Sequence, residues 1–385
     1  PRLMSDAGGT KSRSATSRSI GHGKGGLLTM ADKDIGIGVV GIGLGAALLP
    51  INRIEDSRLQ VRAVYDPHPD RTHQRYEVGK ELAPLADEFG VGCIAETSEA
   101  LLAREDIDCV GIFSPCPFHF EQVKAALLAG KHVIVTKPMA VSLDEARELV
   151  QLVDETGLKL LVAQSMRWNS RFRAIHDLFA AGKLGDIRLA EGYYIHDMRT
   201  VLDRSPWRYE MPQDYMYGGV CHPTDLLRWF LGEADEVFAY GSHGGLDPRY
   251  PADKDNNFII SIKYRNGVIA RVLGAFDLIH PPLLHGVGLG LYGTKASVFN
   301  DRIVYDYRGH GKPMEETIEP AGDAADHAGE IISFLRHFED CLVNDEKPLV
   351  DVRDGAQIIA ICSACWDSIR SGRPEKVTRE FDANE

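Results

Sequence analysis

The stretch Ile35–Ala46 reads IGIGVVGIGLGA, and it decides how the first half of the chain is expected to fold. Within it, Gly41, Gly43 and Ala46 fit the pattern G-x-G-x-x-A directly after the apolar residues Ile37–Val40. This order predicts a strand, a tight turn and a helix, and the second glycine leaves room for a dinucleotide pyrophosphate. The N–H groups at the helix start would attract the phosphates. The loop residues predicted to bind the cofactor are Gly41, Ile42, Gly43 and Leu44.

The same stretch allows a second frame, in which Gly36, Gly38 and Gly41 fit G-x-G-x-x-G. The residues before that frame, Met30–Asp34 (MADKD), do not have a strand pattern. Because the fingerprint needs a strand before its first glycine, we prefer the frame that starts at Gly41.

An acidic residue, Asp66, ends the next apolar segment, Leu59–Tyr65. In dinucleotide-binding folds a carboxylate about 20 residues past the glycine turn binds the adenosine ribose diol and repels a 2′-phosphate. This position therefore favours NAD, while Arg71 and Arg75 nearby keep NADP open as an alternative. A purely local role for Asp66, capping the turn at Pro67, is the other interpretation.

Strands and helical patterns alternate through the first half, which predicts a doubly wound parallel sheet, the Rossmann architecture. Helical patterns include Phe118–Ala129 and Leu143–Glu155, and Ser142 with Glu145 forms a capping box at the second. Ligands bind beyond the carboxyl ends of such strands, where Ser114, Pro115, His119 and Lys137 lie. The predicted strands are Ile35–Val40, Leu59–Tyr65, Cys109–Phe113, His132–Thr136 and Lys159–Ala163.

Strands follow one another with short connections in the second half, which predicts a mostly antiparallel open sheet in an α+β domain. Arg265-Asn266-Gly267 is typical of a hairpin turn, and the helical runs Gly329–Val343 and Asp354–Ser371 close the chain. We expect a disordered tail over residues 1–30, a dinucleotide-binding domain over 31–165 and a substrate-binding and oligomerisation domain over 166–385. The predicted strands are Ile187–Ile195, Glu236–Ser242, Asn257–Tyr264, Val268–Phe276, Gly286–Tyr292 and Ser297–Tyr305.

Composition is typical of a globular enzyme, with 385 residues, 44% hydrophobic and 26% charged, and a net charge of −13. An acidic chain argues against nucleic acid or an anionic membrane as a partner. No apolar run approaches the 18 residues or so that a membrane span needs. The seven scattered cysteines suggest a reducing compartment, so we expect a cytoplasmic protein.

Three further features carry less information. Gly21–Gly26 (GHGKGG) has neither the preceding strand nor the following Ser/Thr of a phosphate loop. The Arg- and Ser-rich opening is a disordered tail, or alternatively an organelle transit peptide. Cys362 and Cys365 form a C-x-x-C within an apolar helical stretch without a second pair, so they are interpreted as core packing, and no metal site is predicted.

The order of these segments resembles the Gfo/Idh/MocA oxidoreductases, the group of glucose–fructose oxidoreductase and inositol dehydrogenase. The resemblance covers essentially everything from Asp34 onward and implies a Rossmann domain, a C-terminal domain with an open sheet, and dimers or tetramers formed through that sheet. It also implies NAD(P)-dependent oxidation or reduction of a sugar, cyclitol or related polyol. The matching stretches are Gly41–Ala46, Asp66-Pro67, Ser114-Pro115 with His119, Ala126–Pro138, Arg167, Trp207-Arg208, Gly218-Gly219, His222 with Asp225, and Leu226–Gly232.

By this resemblance Lys137 matches the family's lysine and His222 its catalytic histidine. The chemistry agrees, because hydride loss from a carbinol carbon requires that the hydroxyl proton be removed. A histidine titrates near neutrality, and a lysine beside a cationic nicotinamide ring can have its pKa lowered. Asp225, three residues after His222, either orients the imidazole or caps the helix.

Two positions depart from the family pattern. The glutamate that usually precedes the lysine is Thr136, and the acid usually four residues before the histidine is Gly218. A second acid is absent or supplied from elsewhere, with Asp214 and Asp203 as candidates. Besides Lys137 and His222, the predicted substrate contacts are Arg167, Trp168 and Tyr217, chosen because Arg binds hydroxyls or carboxylates and aromatic rings stack on sugars.

Three functions from different classes follow. The favoured one is an NAD(P)-dependent sugar or polyol dehydrogenase or reductase. The second is an NAD-dependent glycosidase or eliminating enzyme that oxidises its substrate transiently, and the third is a non-catalytic dinucleotide sensor. Net formation of NADH, turnover without net NADH, and binding without turnover distinguish the three.

Overall fold

Six parallel strands form the first sheet, in the order β3-β2-β1-β4-β5-β6. The computed structural model describes residues 34–69, 81–205, 207–280, 286–306, 314–320 and 327–382, so the predicted tail and Arg71 and Arg75 lie outside the described residues. The strands are β1 Ile35–Val40, β2 Leu59–Tyr65, β3 Cys93–Ile94, β4 Cys109–Ile112, β5 His132–Thr136 and β6 Leu160–Ala163. The helices around them are α1 Ile42–Gly45, α2 Leu82–Glu88, α3 Ser98–Leu102, α4 His119–Leu128 and α5 Leu143–Thr156.

This strand order is that of a dinucleotide-binding sheet, in which the direction of winding reverses between β1 and β4. All six residues of β1 are buried, as are all four of β4, because helices cover both faces of a parallel sheet. The crevice beyond the carboxyl ends of β1 and β4 is therefore where a ligand is expected. The predicted α/β class and its parallel first sheet are confirmed.

The helix after the glycine turn differs from the prediction. It begins at Ile42, one residue after Gly41, and changes at Ala46 into a 3₁₀ helix that runs to Arg53 and contains Pro50. Proline has no N–H to donate, and its ring crowds the carbonyl four residues earlier, so a regular α-helix cannot continue through this segment. Two shorter 3₁₀ segments, Cys116–Phe118 and Ser165–Trp168, follow β4 and β6.

The capping box predicted before α5 is half formed. The hydroxyl of Ser142 accepts a hydrogen bond from the N–H of Glu145 at 3.3 Å. The Glu145 carboxylate instead accepts from the N–H of Val141 at 2.8 Å, one residue before the position that a full box requires. The Ser142 hydroxyl therefore satisfies one N–H group of the first turn of α5, while Glu145 binds the chain just before the helix.

The second sheet has nine strands, in the order β14-β13-β12-β11-β7-β10-β9-β8-β15. Only the β7–β10 pair is parallel among its described pairs, so the predicted mostly antiparallel sheet is confirmed. The strands are β7 Ile187–Ile195, β8 Ala234–Ser242, β9 Asn257–Tyr264, β10 Ile269–Ala275, β11 Val287–Gly293, β12 Ala296–Phe299, β13 Arg302–Tyr305, β14 Met314–Thr317 and β15 Glu375–Lys376. The helices are α6 Ser170–Ala180, α7 Arg199–Arg204, α8 Trp207–Glu210, α9 Cys221–Leu231, α10 His327–Val343 and α11 Val352–Ser371.

One predicted strand of this sheet is wrong. Ser297–Tyr305 is not continuous but forms β12 and β13, joined by a turn at Asn300 with φ 56°. Asparagine tolerates this left-handed backbone better than most residues, so the chain can reverse here without a glycine. The prediction missed the turn because the flanking residues keep an apolar alternation across it.

The last helices connect the two sheets. α11 packs against α5 and β6 on one side and against β8 on the other. The carbonyl of Val350, just before α11, accepts a hydrogen bond from the N–H of Val162 in β6 at 2.9 Å. Cys362 and Cys365 in α11 are each 1% exposed, in keeping with their interpretation as core residues. The boundary at residue 165 remains a prediction.

His132 at the start of β5 is expected to make stability depend on pH. Its Nδ1 accepts a hydrogen bond from the N–H of Lys159, and burial, with a smaller effect of the Lys159 charge, lowers the pKa of His132 to about 4. Between pH 6.5 and 4 the unfolded chain binds a proton at this residue that the folded chain does not, so stability is lost as the pH falls through that window. From pH 7 to pH 5 this loss is about 2 kcal/mol.

Urea unfolding of the wild type and of His132→Asn at both pH values checks this. Asparagine keeps an acceptor for the Lys159 N–H but does not titrate. The decrease in unfolding free energy from pH 7 to pH 5 should be smaller in the variant by about 2 kcal/mol. An equal decrease in the two proteins would contradict the assignment to His132.

Candidate active site

The glycine turn after β1 has the geometry that a pyrophosphate needs. Gly41 has φ 84°, and a Cβ there would lie 2.5 Å from the backbone nitrogen of Ser114, so only glycine fits. A Cβ at Gly43 would meet nothing within 4 Å, which leaves open space above the turn. The closest approach of this helix to the strand is at Gly45, where a Cβ would lie 2.8 Å from Val39 Cγ1, one residue before the predicted Ala46.

Asp66 lies directly beside this turn. Its Oδ2 accepts a hydrogen bond from the N–H of Ile42 at 2.9 Å, and its Oδ1 accepts from the N–H of His68 at 2.9 Å. The carboxylate at the end of β2 thus reaches the first amide of α1. These residues fit a dinucleotide, because the turn has an open glycine, helix-start amides and an acid at its edge.

His119 connects the loops that follow β4 and β5. It is 1% exposed, and its Nδ1 and Nε2 lie 2.6 Å from the carbonyl oxygen of Pro138 and 2.8 Å from that of Ser114. Burial lowers the pKa of His119, with a smaller contribution from the nearby charge of Lys137. The structure shows His119 joining these two loops, and its predicted contact with the cofactor or substrate stays a prediction. The hydroxyl of Ser114, which precedes Pro115, donates to the side-chain oxygen of Gln122.

Lys137 joins the first sheet to the second half of the chain. It follows the last residue of β5, and its Nζ donates a hydrogen bond to the carbonyl of Gly218 at 2.5 Å. Gly218 lies in a π-helical turn, Met216–Val220, that leads directly into α9. The ammonium group is thus held at the carboxyl end of the parallel sheet against a segment 81 residues away in sequence.

His222 is the second residue of α9, four residues after Gly218, and is 6% exposed. The ring of Tyr194 in β7 meets its imidazole edge-on, with centroids 5.5 Å apart. Burial raises the pKa of the neighbouring Cys221 to about 11, and the charge of Lys137 opposes that rise. Lys137 therefore contacts the residue four positions before His222, and the joint proton-handling role of the two stays a prediction.

Arg167 and Asp225 bind each other. Arg167 Nε donates to Asp225 Oδ2 at 2.9 Å, and Arg167 Nη2 donates to Asp225 Oδ1 at 2.7 Å. Both side chains are buried, at 5% and 1% exposed. The pair ties the segment after β6 to α9. Asp225 was predicted to orient the His222 imidazole or to cap the helix, and Arg167 to contact the substrate. The structure shows the two in a buried ion pair, and those roles remain predictions.

Two predicted substrate contacts lie mostly in the core. Trp168 is 2% exposed, and its indole packs edge-on against Phe334 of α10 at 5.9 Å between centroids. Tyr217 is 9% exposed, and burial, the largest cause, raises the pKa of its hydroxyl. Trp168 packs in the core and Tyr217 exposes only a small part of its side chain, and their predicted substrate contacts remain predictions.

The candidate acids are engaged elsewhere. Asp214 Oδ1 accepts from the N–H of Met216 at 2.8 Å, and its Oδ2 accepts from Trp366 Nε1 at 2.9 Å. Asp203 binds the exposed guanidinium of Arg249 at 2.8 Å. Neither arrangement replaces the missing acid at position 218.

Sequence reasoning missed Gln213 and the role of Arg208. A Cβ at Gly218 would lie 1.9 Å from Nε2 of Gln213, so the Gln213 amide occupies the space of a side chain at 218. Arg208 Nη1 donates to Gln213 Oε1 at 3.1 Å. The only signal in the sequence was Gly218 itself, because a lost side chain leaves space that another group must fill.

Two family models match the chain. Residues 35–164 match the oxidoreductase family with an NAD-binding Rossmann fold, and residues 172–299 match the Gfo/Idh/MocA C-terminal domain. The chain belongs to the Gfo/Idh/MocA oxidoreductases. The resemblance drawn from the motifs is thereby confirmed, together with an NAD-binding Rossmann fold for the first domain.

Relatives in this oxidoreductase family are distant. A 1,5-anhydro-D-fructose reductase from Ensifer adhaerens is 29% identical over 228 residues, which is 58% of this chain and 65% of that protein. The uncharacterized oxidoreductase YrbE of Bacillus subtilis (strain 168) is 25% identical over 363 residues, 90% of this chain and 97% of its own.

Solved structures share the fold at lower identity. A levoglucosan dehydrogenase in complex with NADH has a TM-score of 0.77 and 20% identity, covering 89% of this chain and 99% of that one. An oxidoreductase from Agrobacterium radiobacter in complex with NAD+, L-tartaric acid and magnesium has a TM-score of 0.76 and 18% identity, covering 90% and 99%. Within the described part of this chain, none of the helices has the length and apolar character to span a membrane.

Proposed function

We propose that this protein transfers hydride between NAD and a hydroxyl or carbonyl carbon of a sugar, cyclitol or related polyol. The observation that carries the proposal is the Lys137 Nζ contact with Gly218, 2.5 Å long, which joins the end of β5 to the helical segment that bears His222. A proton-handling pair at the carboxyl edge of a dinucleotide-binding sheet is what an alcohol oxidation requires.

The proposed roles of Lys137, His222 and His119 follow from their charges and positions. The glycine turn and Asp66 would hold the dinucleotide, whose nicotinamide would supply the hydride chemistry. Lys137 hydrogen-bonds the reacting oxygen and favours its developing negative charge, and His222 takes the hydroxyl proton on oxidation or returns it on reduction. His119 keeps Lys137 in place, because it binds the carbonyl of Pro138, the next residue.

The relatives support this substrate class. One is a 1,5-anhydro-D-fructose reductase, and one structural neighbour is a levoglucosan dehydrogenase. Absorbance at 340 nm with a panel of sugars, sugar acids and cyclitols, with NAD and with NADP, tests the proposal. Formation of NADH with at least one free substrate is expected. Turnover without net NADH would indicate a glycosidase or eliminating enzyme, and cofactor binding without any turnover would indicate a sensor; either result would overturn the proposal.

Asp66→Ala is expected to weaken NAD binding and to reduce the preference for NAD over NADP. The carboxylate beside the glycine turn would bind the ribose diol and repel a 2′-phosphate. Loss of a charged hydrogen-bonding group corresponds to roughly a tenfold or larger increase in the Kd for NAD. Fluorescence titration with both cofactors measures it, with the exposed Asp87→Ala in α2 as the control. Unchanged NAD affinity in Asp66→Ala would show that Asp66 only caps its turn.

We also propose that two copies of the chain pack through the open face of the second sheet. Ile269 in β10 stands opposite Leu189 in β7, and Ile259 in β9 stands opposite Tyr240 in β8, so these side chains share one face. Arg271 and Glu191 lie on the same face, and a group of exposed apolar side chains of this size on a sheet usually marks an interface. Its exposed members are Leu189 at 49%, Tyr240 at 64%, Ile259 at 60%, Ile269 at 54% and Phe299 at 42%.

Ile259→Asp is expected to convert such an oligomer to monomer, because it would bury a carboxylate at the centre of the apolar contact. Size-exclusion chromatography with light scattering measures the mass. The control is Leu128→Asp on α4, where the leucine is 64% exposed on the other half of the molecule. A wild-type protein that is already monomeric would contradict the interface.

A further inference from the structure

The charge around Lys137 is positive. Position 136 is threonine and position 218 is glycine, so neither contributes a carboxylate beside the ammonium group. Burial raises the pKa of the Cys116 thiol. The positive charges of Lys137 and Arg208 lower this pKa, and each has a larger effect than the Asp214 carboxylate, which raises it. Two cationic side chains, Lys137 and Arg208, therefore lie near the Cys116 thiol at the edge of the first sheet.

Gln213 holds the Arg208 guanidinium in this cluster. The guanidinium donates to Gln213 Oε1 at 3.1 Å, and the amide end of Gln213 fills the space over Gly218, whose carbonyl receives Lys137 Nζ at 2.5 Å. The chain of contacts runs from the guanidinium through a neutral amide to the residue that Lys137 touches. A side chain at 218 would displace Gln213, and with it the acceptor that orients Arg208.

The nearby carboxylate of Asp214 already has hydrogen-bond donors for both of its oxygens. Both oxygens of Asp214 accept hydrogen bonds, from the N–H of Met216 and from Trp366 Nε1. Tyr215 next to it is 3% exposed and stacks on Phe276, with centroids 4.8 Å apart, which makes an aromatic wall. Solvent reaches this cluster, because four of its side chains are partly exposed: Lys137, Arg208, Gln213 and Cys116.

We propose that the substrate is a polyhydroxy carboxylate, such as an aldonate or uronate. Arg208 binds its carboxylate, and Lys137 hydrogen-bonds the reacting hydroxyl. The inference rests on the proposed function and narrows its substrate class. A planar guanidinium offers paired N–H donors that match the two oxygens of a carboxylate. An anion also offsets the charge that Lys137, Arg208 and an oxidised nicotinamide would otherwise accumulate in one place.

Matched pairs of ligands test this directly. Isothermal titration of the NADH-saturated protein would compare D-glucose with D-gluconate and D-glucuronate, and D-galactose with D-galacturonate; turnover with NAD would be measured on the same set. At least one acid should bind tenfold or more tighter than its neutral partner, and kcat/KM should follow. Arg208→Met should lower the affinity for the acid tenfold or more and lower the affinity for the neutral sugar much less, so that the preference for the acid disappears. Arg302→Met is the control, because Arg302 pairs with Glu315 on the second sheet.

Gln213→Leu removes the acceptor that orients Arg208, so it should lower the binding affinity for the same acid, though less than Arg208→Met does. This second variant keeps the test valid if Arg208→Met is unstable. Equal affinity for acids and neutral partners would overturn the inference, as would an Arg208→Met effect that is the same on both. Because titration needs no turnover, an acid that binds through Arg208 without reducing NAD would support the carboxylate site and reject only the dehydrogenase function.

Discussion

Lys137→Met lowers kcat by about two to four orders of magnitude and changes the Kd for NAD little, which is the largest functional effect we expect. The side chain stands at the end of β5 and donates to the Gly218 carbonyl, whereas the segment proposed to bind the pyrophosphate is the glycine turn after β1. The variant lacks the ammonium group that stabilises the reacting oxygen while that oxygen loses its proton. Methionine keeps the length of the side chain, so packing is disturbed as little as possible.

Stopped-flow or steady-state measurement of NADH formation, together with a fluorescence titration of NAD, separates the two effects. Lys124→Met is the matched control, because Lys124 pairs with Glu148 on the outer surface between α4 and α5. If Lys137→Met kept its rate and lost its affinity for NAD, the lysine would be a cofactor ligand and our assignment of the proton-handling role would be wrong.

Asp225→Asn lowers the unfolding free energy by about 3–5 kcal/mol, which is the largest stability effect we expect. Arg167 and Asp225 are joined by two hydrogen bonds and are 5% and 1% exposed, so the variant leaves a guanidinium buried without its counter-charge. Urea denaturation followed by circular dichroism measures the loss. The double variant Arg167→Met/Asp225→Leu should recover most of it, since apolar side chains can replace a buried pair at little cost.

The control is an ion pair of the same type on the surface. Arg188 and Asp186 are 70% and 74% exposed, so Asp186→Asn should change stability by less than about 1 kcal/mol. A similarly small change for Asp225→Asn would mean that the pair does not join β6 to α9 in the way the structure shows. A folded Asp225→Asn protein with normal stability and lost activity would restore the predicted catalytic role of Asp225.

Much of the fold was predictable because its signals are local. The burial of β1 follows from its apolar residues, and the turn at Gly41 from a backbone angle that only glycine adopts easily. The split of Ser297–Tyr305 at Asn300 was missed, because asparagine enters the left-handed region without any change in the apolar pattern around it. The change of α1 into a 3₁₀ helix could have been read from Pro50, which stands within the expected helix.

The candidate site was predicted less evenly. Lys137 was predicted from its place after an apolar strand together with the family resemblance, and His222 from that resemblance; the catalytic roles of both remain predictions. Trp168 and Arg167 were assigned to the substrate because their residue types suit sugars, yet residue type does not determine whether a side chain faces a crevice or the core. Gln213 had no chemical signal of its own, and its role depends on the space that Gly218 leaves.

The sequence by itself determined the strand and helix order, the glycine turn, the acid at the end of β2 and the lysine at the end of β5, since each depends on residues adjacent in the chain. Only the tertiary structure decided which distant groups meet: Arg167 with Asp225, 58 residues apart, and Lys137 with Gly218, 81 apart. Such contacts depend on how two sheets pack around α9 and α11, and packing is a property of the whole core that no short pattern encodes.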